Sequence, residues 1–320
     1  MSIISVNQRR YMKKISIVTA CYNEEENVQD LYYAVKEVFS QLEQYTYEHI
    51  FIDNASKDNT VGILKKIAGN DKNVKIIVNS RNFGHIRSPF HGIIQASGDA
   101  VISLVADFQD PPAMIKDFIR KWEEGYKIVV GVKTESKESK AMFFIRNRFY
   151  SLISRLSEID QIKSFTGFGL YDKKIIEILR TIDDPYPYFR GLIADIGYDI
   201  GRIEYTQPAR KKGFTKNNLY TLYDMAMLGI TNHSKVPLRL ATMLGFLVSL
   251  GSILCAGVFF MLKLVFWNSF DMGIAPLIIG LFFFSAVQLF FIGIIGEYVG
   301  SIHTQVLKRP RVIEKERINF

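Results

Sequence analysis

The sequence predicts an α/β fold: a doubly wound sheet domain followed by amphipathic helices and two transmembrane helices. Three observations predict it. Short β-rich runs recur along the first half, each ending in a polar loop that opens a helical pattern; this is how a parallel sheet covered on both faces reads. One such run, Ala100–Val105, leads directly into Asp107, Gln109 and Asp110. Two long apolar runs lie near the C-terminus, and each is long enough for a hydrocarbon core of roughly 30 Å.

The elements follow in order. Lys14–Ala20 (KISIVTA) is the first strand, and Cys21-Tyr22-Asn23-Glu24-Glu25-Glu26-Asn27 then opens a helix. Glu48–Asp53 (EHIFID) is the second, ending in Asp53-Asn54-Ala55-Ser56. Val74–Asn79 is the third, followed by Ser80-Arg81-Asn82-Phe83-Gly84-His85 and another helix. Each polar cluster sits at a strand's carboxyl end, so the clusters converge on one crevice. In the segment around Asp107, Asp and Gln oxygens suit Mg2+ or Mn2+, which in turn holds a diphosphate. A strand end with a solvated acidic turn is the alternative. Pro111-Pro112 starts the next element.

TACYNEEENV, FIDNASKDNT, SRNFGHIRSPFHGIIQASGDAVISLVADFQDPP and the PLRL start of the membrane pair carry a family resemblance. Together, in this order, they resemble membrane-anchored family-2 glycosyltransferases. More narrowly, the chain is similar to the dolichol-phosphate mannose synthase-like group and its bacterial polyprenyl-phosphate glycosyltransferases, from about Lys14 to about Arg311. The resemblance implies a GT-A-like sheet that binds a nucleotide sugar. It implies that Ala20, Tyr22 and Glu24 hold base and ribose, that Asp53 accepts from the base, and that Arg81, Gly84 and Ala106 complete the nucleotide site. Asp107 and Gln109 are then the Mg2+ or Mn2+ ligands, with Asp110 the third catalytic residue. Arg190 matches a further family Arg on the acceptor side.

The loop Arg210-Lys211-Lys212-Gly213-Phe214-Thr215-Lys216 pairs dense positive charge with a glycine that permits close backbone approach, which suits an incoming phosphate. As a bare charge run it reads as a solvated loop. Its match to the family's basic segment makes Arg210, Lys212 and Lys216 the expected acceptor-phosphate ligands.

Three departures from the family pattern stand out. The usual Asp-Asp-Gly-Ser is Asp53-Asn54-Ala55-Ser56, the usual Asp-x-Asp is Val105-Ala106-Asp107, and the usual Gly-Asp-Phe-Arg-Leu is Thr166-Gly167-Phe168-Gly169-Leu170. Fewer carboxylates around a cation weaken it unless Gln109, Asp110 or water completes the shell.

Among 320 residues, 48% are hydrophobic and 22% charged; the apolar surplus is concentrated in Leu238–Val265 and Ala275–Gly296. Runs of this length are rare in the cores of soluble proteins, the competing explanation. Lys235 and Arg239 flank the first run and Lys308, Arg309 and Arg311 follow the second, while Asn268–Gly273 between them has no Lys or Arg. The positive-inside rule then puts the catalytic half and both termini in the cytoplasm of a multi-pass protein, and the resemblance implies the bacterial plasma membrane. Met1–Lys14 lacks the apolar stretch of a signal peptide. Cys21 and Cys255 lie in unlike environments and read as separate reduced thiols. The net charge of +8 suits anionic headgroups and phosphates; nucleic acid is disfavoured because the basic residues cluster beside the spans.

Lys140–Ser157 has an amphipathic face that suits either the lipid interface or the protein's own core, and Asn217–Ser234 is a candidate second helix of this kind. Gly245, Gly251, Gly257, Gly280 and Gly293 allow close helix contact in a homo-oligomer, or are ordinary membrane-helix glycines. The expected organisation is an N-terminal segment (1–13), a catalytic domain (14–216), a juxtamembrane helix (217–237), a transmembrane pair (238–303) and a tail (304–320).

The expected reaction moves a hexose, with a uridine nucleotide as the leading donor, onto polyprenyl phosphate. Alternatives are transfer to a hydroxyl of a lipid-linked glycan, a non-catalytic membrane scaffold that keeps the fold, and a lipid-binding or channel-like protein.

Overall fold

The computed structural model describes residues 12–134, 162, 164–208, 227–231, 234–266 and 274–320, the last segment as backbone only over 274–276. The elements run β1 (Lys13–Cys21), α1 (Val28–Ser40), β2 (Tyr45–Asp53), α2 (Thr60–Asn70), β3 (Val74–Asn79), α3 (Gly84–Gln95), β4 (Ala100–Val105), a short turn of 3-10 helix (Pro112–Met114), α4 (Ile115–Glu123), β5 (Ile128–Lys133), β6 (Phe165–Asp172), α5 (Lys173–Thr181), α6 (Phe189–Asp195), β7 (Ile200–Tyr205), α7 (Val236–Val265), α8 (Ile274–Val306) and β8 (Glu314–Ile318).

Eight strands form one sheet in the order β7-β5-β6-β4-β1-β2-β3-β8. The neighbours β4, β1, β2 and β3 are parallel, as the strand–loop–helix repeats require. The sheet is nevertheless mixed. β6 runs antiparallel between β4 and β5, and β8 antiparallel along β3. Strand direction is a long-range property that the local pattern of Phe165–Asp172 does not encode.

The double winding shows in two apolar clusters. Ile15, Ile17 and Phe51 pack on one face with Leu31, Val35, Leu64 and Phe118 from α1, α2 and α4. Val18, Ile50 and Ile52 pack on the other with Phe90, Ile93, Ile175 and Leu179 from α3 and α5. Successive residues of one strand serve opposite faces, as the period of two demands.

The amino end of the sheet is closed by a buried carboxylate. Glu48 accepts from Lys14 Nζ at 2.8 Å, Lys75 Nζ at 2.7 Å, Ser16 Oγ at 2.5 Å and the Ser97 amide at 2.8 Å. Burial by itself raises its pKa, but the two ammonium groups and the hydroxyl and amide donors outweigh it and hold the carboxyl down to about 2. Next to it His49 is fully buried, its Nε2 3.0 Å from Thr19 Oγ1, and burial pushes its pKa down to about 3.

The last residues, read from sequence only as a tail, form a strand that finishes the sheet. β8 pairs residue by residue with β3 (Ile76 with Ile318, Ile77 with Arg317). Lys65–Glu316 at 2.6 Å, His91–Glu314 at 2.6 Å and Asn319 Nδ2 to the carbonyls of Ala68 and Val74, both at 2.8 Å, stitch it down. Arg311, before it, donates to the carbonyls of Ile182 and Asp184. A sheet edge that would otherwise invite foreign strands is thereby covered.

The described residues fall into two compact units, 12–134, 162, 164–208 and 308–320 in one and 227–231, 234–266 and 274–307 in the other. In the second unit α7 and α8 are long and apolar enough to cross a membrane, with mean hydropathy of 2.2 and 2.5 over their spans. Phe246, Leu247, Leu277 and Phe282 are at least 60% exposed. Apolar surface on this scale does not persist in water, so the pair associates with a membrane. Tyr298 of α8 donates to the Ser234 carbonyl just before α7 at 2.7 Å. Side chains placed at Gly245, Gly251, Gly257, Gly280 or Gly293 would meet nothing within 4 Å. The candidate amphipathic helix Lys140–Ser157, most of Asn217–Ser234, and the stretch Asn268–Gly273 lie outside the described residues.

Candidate active site

The strand register brings the predicted clusters to one edge. Ala20 pairs with Val105 of β4, and Cys21 with Asp53 of β2. The loops after β1 and β2 are then tied together by side chains. The Asn23 amide donates to Ser56 Oγ at 2.8 Å, that of Glu24 to Thr60 Oγ1 at 2.9 Å, and that of Lys57 to Asn23 Oδ1 at 2.7 Å. Tyr22 and Glu24 lie on this loop, both partly exposed. Asn23 and Ala55 take the left-handed conformation, with φ of 56° and 62°. At Ala55 this explains why the family pattern has glycine there.

Asp53 is fully buried. Its Oδ2 accepts from the Ser56 amide at 3.0 Å, while Oδ1 has no partner. Burial pushes its pKa up against the hydrogen bonds from Ser56. A buried carboxylate oxygen without a donor is the kind of group a ligand N–H satisfies.

Asn54 explains one departure from the family. Its Nδ2 donates to Asn82 Oδ1 at 2.9 Å and to the Gly84 carbonyl at 3.1 Å, and its Oδ1 accepts from the Phe83 amide at 2.8 Å and Asn79 Nδ2 at 3.1 Å. One amide thus locks the loop after β2 to the loop after β3. An aspartate lacks the two N–H donors this demands. Gly84 opens α3 at φ 86°, and Arg81 is exposed with its guanidinium 4.0 Å from the Phe83 ring centre.

Beyond β4, Ala106 and Asp107 are buried, Phe108 is left-handed at φ 61°, and Gln109 is partly exposed. Asp107 Oδ1 accepts from the Gln109 amide at 3.1 Å, which fixes the turn. Asp110 is 3% exposed and accepts from the Tyr205 hydroxyl at 2.9 Å. Burial pushes its pKa up to about 6 despite the Tyr205 hydrogen bond and the nearby Lys133 charge. Tyr205 and Lys133, at the ends of β7 and β5, were missed in the sequence because nothing local ties either strand end to Asp110, which lies ninety-five residues from Tyr205. Val105, where the family has its first acid, is 41% exposed and apolar.

No group of three or more His, Cys, Asp or Glu residues suited to a metal occurs among the described residues. Asp107 with Gln109 nonetheless fits a Mg2+ or Mn2+ ion of the kind that takes one or two protein ligands and completes its shell from substrate phosphates and water.

The third departure reflects repacking. A Cβ at Gly169 would lie 2.4 Å from the Val129 carbonyl oxygen, so no side chain fits where the family carries Arg. Gly167, in place of the family acid, takes φ 104°, and its carbonyl accepts from Tyr171 Oη at 2.8 Å. Arg190 lies partly buried on α6, donates to the Phe165 carbonyl at 3.3 Å and sits 5.4 Å from the Tyr188 ring centre. Phe165 pairs with Val132 near the end of β5, which puts Arg190 at the same sheet edge as Lys133. Arg210, Lys212 and Lys216 lie outside the described residues.

A mixed α/β sheet that gathers an acidic turn and paired polar loops at one edge is the frame of a glycosyltransferase. The family described as Glycosyl transferase family 2 matches residues 16–191, and the chain belongs to that family. It is 36% identical over 301 residues to the glycosyltransferase YkcC of Bacillus subtilis (strain 168), across 93% of this chain and 92% of that one. It is 33% identical over 304 residues to the SfII prophage-derived bactoprenol glucosyl transferase of Shigella flexneri, across 95% and 98%. A solved structure of glucosyl-3-phosphoglycerate synthase from Mycobacterium tuberculosis, in complex with Mn2+, uridine diphosphate and glucosyl-3-phosphoglycerate, overlays with a TM-score of 0.46 at 17% identity, across 68% of this chain and 78% of that one.

Proposed function

We propose that this glycosyltransferase moves a glucosyl or closely related hexosyl group from a nucleotide-diphosphate sugar to polyprenyl phosphate at the cytoplasmic face of a bacterial plasma membrane. The observation that carries the reading is the near full-length likeness to the bactoprenol glucosyl transferase of Shigella flexneri. It extends through both apolar helices, which suit a protein acting on a lipid acceptor. A uridine nucleotide is the donor we favour.

In this reading Asp53 offers its unpartnered Oδ1 to a base N–H, and Ala20, Tyr22 and Glu24 line the base and ribose. Arg81, Gly84 and Ala106 border the diphosphate. Asp107 and Gln109 would hold Mg2+ or Mn2+, which when bound neutralises charge on the departing diphosphate. Asp110, held by Tyr205, supports this turn from beneath. Arg190 with Arg210, Lys212 and Lys216 receives the acceptor phosphate. A phosphate oxygen attacks the anomeric carbon, the bond from that carbon to the diphosphate oxygen breaks, and the nucleoside diphosphate leaves with the electron pair, inverting the centre. The acceptor already carries about −1.5 to −2 charge near neutral pH, so no general base is required. Positioning and charge complementarity supply the acceleration.

The orientation rests on charge and connectivity. Lys235 and Arg239 precede or begin α7 and Lys308, Arg309 and Arg311 follow α8, which the positive-inside rule assigns to the cytoplasm. The chain on both sides of the helix pair belongs to the sheet unit, as two spans require. The open space at the α7 and α8 glycines leaves them available to a second copy of the chain.

Purified protein, labelled UDP-glucose, undecaprenyl phosphate and Mn2+ test the reading. A labelled lipid that fails to form when either the phosphate lipid or the metal is withheld supports it. Product only with a lipid-linked saccharide selects the hydroxyl-acceptor alternative instead.

A further inference from the structure

Two guanidinium groups crowd the turn between β3 and α3. Arg81 lies 4.0 Å from the ring centre of buried Phe83, and Arg87 lies 5.7 Å from that same ring centre and 5.4 Å from that of Tyr186. Arg87 is partly buried and spends one donor on the Phe83 carbonyl at 3.2 Å; Arg81 spends one on the Asn82 carbonyl at 3.1 Å. Among the described residues neither pairs with a carboxylate. Burial and the neighbouring Arg81 both lower the pKa of Arg87, so the arrangement carries an uncompensated electrostatic cost. Ring stacking offsets part of it and, among the described residues, leaves N–H edges of both planar forks unused, the geometry that receives a phosphate in a bidentate manner.

The location is equally specific. Asn82 and Gly84, between the two arginines, are the residues that Asn54 ties to the loop beginning at Asp53. The guanidinium pair therefore borders the edge where the nucleotide is assigned. On the other side Tyr186 belongs to the segment leading to Arg190, held by the Asp184 side chain and by Arg311.

We propose that Arg87, together with Arg81, forms a phosphate-binding subsite whose positive charge adds to that of a cation held at Asp107 and Gln109. Resting on the glycosyl-transfer reading of this edge, the inference adds a ligand-binding residue to it. The shared chemistry is a phosphate oxyanion, from either the donor's diphosphate or the acceptor's phosphomonoester.

Direct binding to the full-length protein in detergent separates the two sources. Calorimetry with UDP, uridine and farnesyl phosphate, with and without Mn2+, is run on wild type, Arg87→Gln and Arg87→Lys. Loss of a charged bidentate contact weakens binding by about tenfold or more. If the donor supplies the phosphate, Arg87→Gln weakens UDP by that factor, most strongly without Mn2+, and leaves uridine unchanged, while Arg87→Lys falls between. If the acceptor supplies it, the same loss appears with farnesyl phosphate instead. Unchanged affinity for both phosphate ligands, equal losses for UDP and uridine, or no phosphate-dependent binding by wild type each overturns the proposal. Because binding rather than turnover is read, a failure to form glucosyl lipid bears on the proposed reaction alone.

Discussion

The Tyr205 hydroxyl donates to Oδ1 of Asp110 at 2.9 Å, so the last strand before the basic loop is fastened to the turn that carries Asp107. Gly131 makes the approach possible, since a Cβ there would press within 2.8 Å of Phe168 and 3.1 Å of Tyr205. Breaking the bond leaves a buried carboxylate short of a donor, at a cost of about 1–3 kcal/mol. Tyr205→Phe is expected to lose that much in urea unfolding of the detergent-solubilised chain. Asp110→Asn, which keeps the acceptor and removes the buried charge, is expected to lose less.

Asn54→Asp moves the sequence toward the family pattern and yet is expected to weaken the protein. Two donated hydrogen bonds vanish and a charge enters a site only 6% exposed. The expected loss is about 2–4 kcal/mol, read by the same unfolding measurement. A neutral result would mean that the link between the β2 and β3 loops contributes nothing.

Ala55→Gly has the opposite sign. Leaving φ 62° to an alanine costs about 1–2 kcal/mol, of which glycine's greater freedom when unfolded returns a part. A net gain of about 0.5–1 kcal/mol is expected, visible as a raised unfolding midpoint.

Restoring the family's arginine by Gly169→Arg is expected to abolish folding rather than improve catalysis, because the Val129 carbonyl occupies the space at 2.4 Å. Recovery of soluble, monodisperse protein in detergent at wild-type yield would contradict this.

Acid stability follows from two buried groups with lowered pKa. At His49 burial moves the value from 6.5 to about 3, so its contribution is complete above pH 6.5 and drains away as pH falls toward 3. At Glu48 the value moves from 4.5 to about 2; its contribution, about 3 kcal/mol, is complete above pH 4.5 and lost toward pH 2. Asp110, which burial raises from 3.8 to about 6, works the other way between pH 6 and 4 and offsets the His49 loss there, so urea midpoints should stay nearly level in that window and fall below pH 4. His49→Gln removes the opposing slope, so its midpoint relative to wild type is expected to rise as pH falls from 6.5 to 5.

Much of the fold could be read because it is written locally. KISIVTA, EHIFID and Ala100–Val105 are period-two or continuous apolar runs with polar ends, and the helix pair is plain from hydropathy. The placement of Asp53 and Asp107 at strand ends follows from the same logic. Partners joined only by the sheet escaped it. Tyr205 meets Asp110, Arg87 meets Tyr186, and Glu314–Ile318 meets β3 through register and crossover, which no short window contains. In the sequence the departures from the family pattern read as a weaker hold on a cation. At Asn54 and Gly169 the structure gives each a packing reason.

The central claim is that Asp107 serves a divalent cation on the donor diphosphate during transfer to a phosphate lipid. Its most direct test is the Mn2+ dependence of labelled-lipid formation by wild type and Asp107→Asn, with urea unfolding as the control for folding. The account predicts a folded variant whose rate drops about a hundredfold or more, and whose residual activity needs higher Mn2+. Wild-type rate and unchanged Mn2+ dependence in that variant would contradict it.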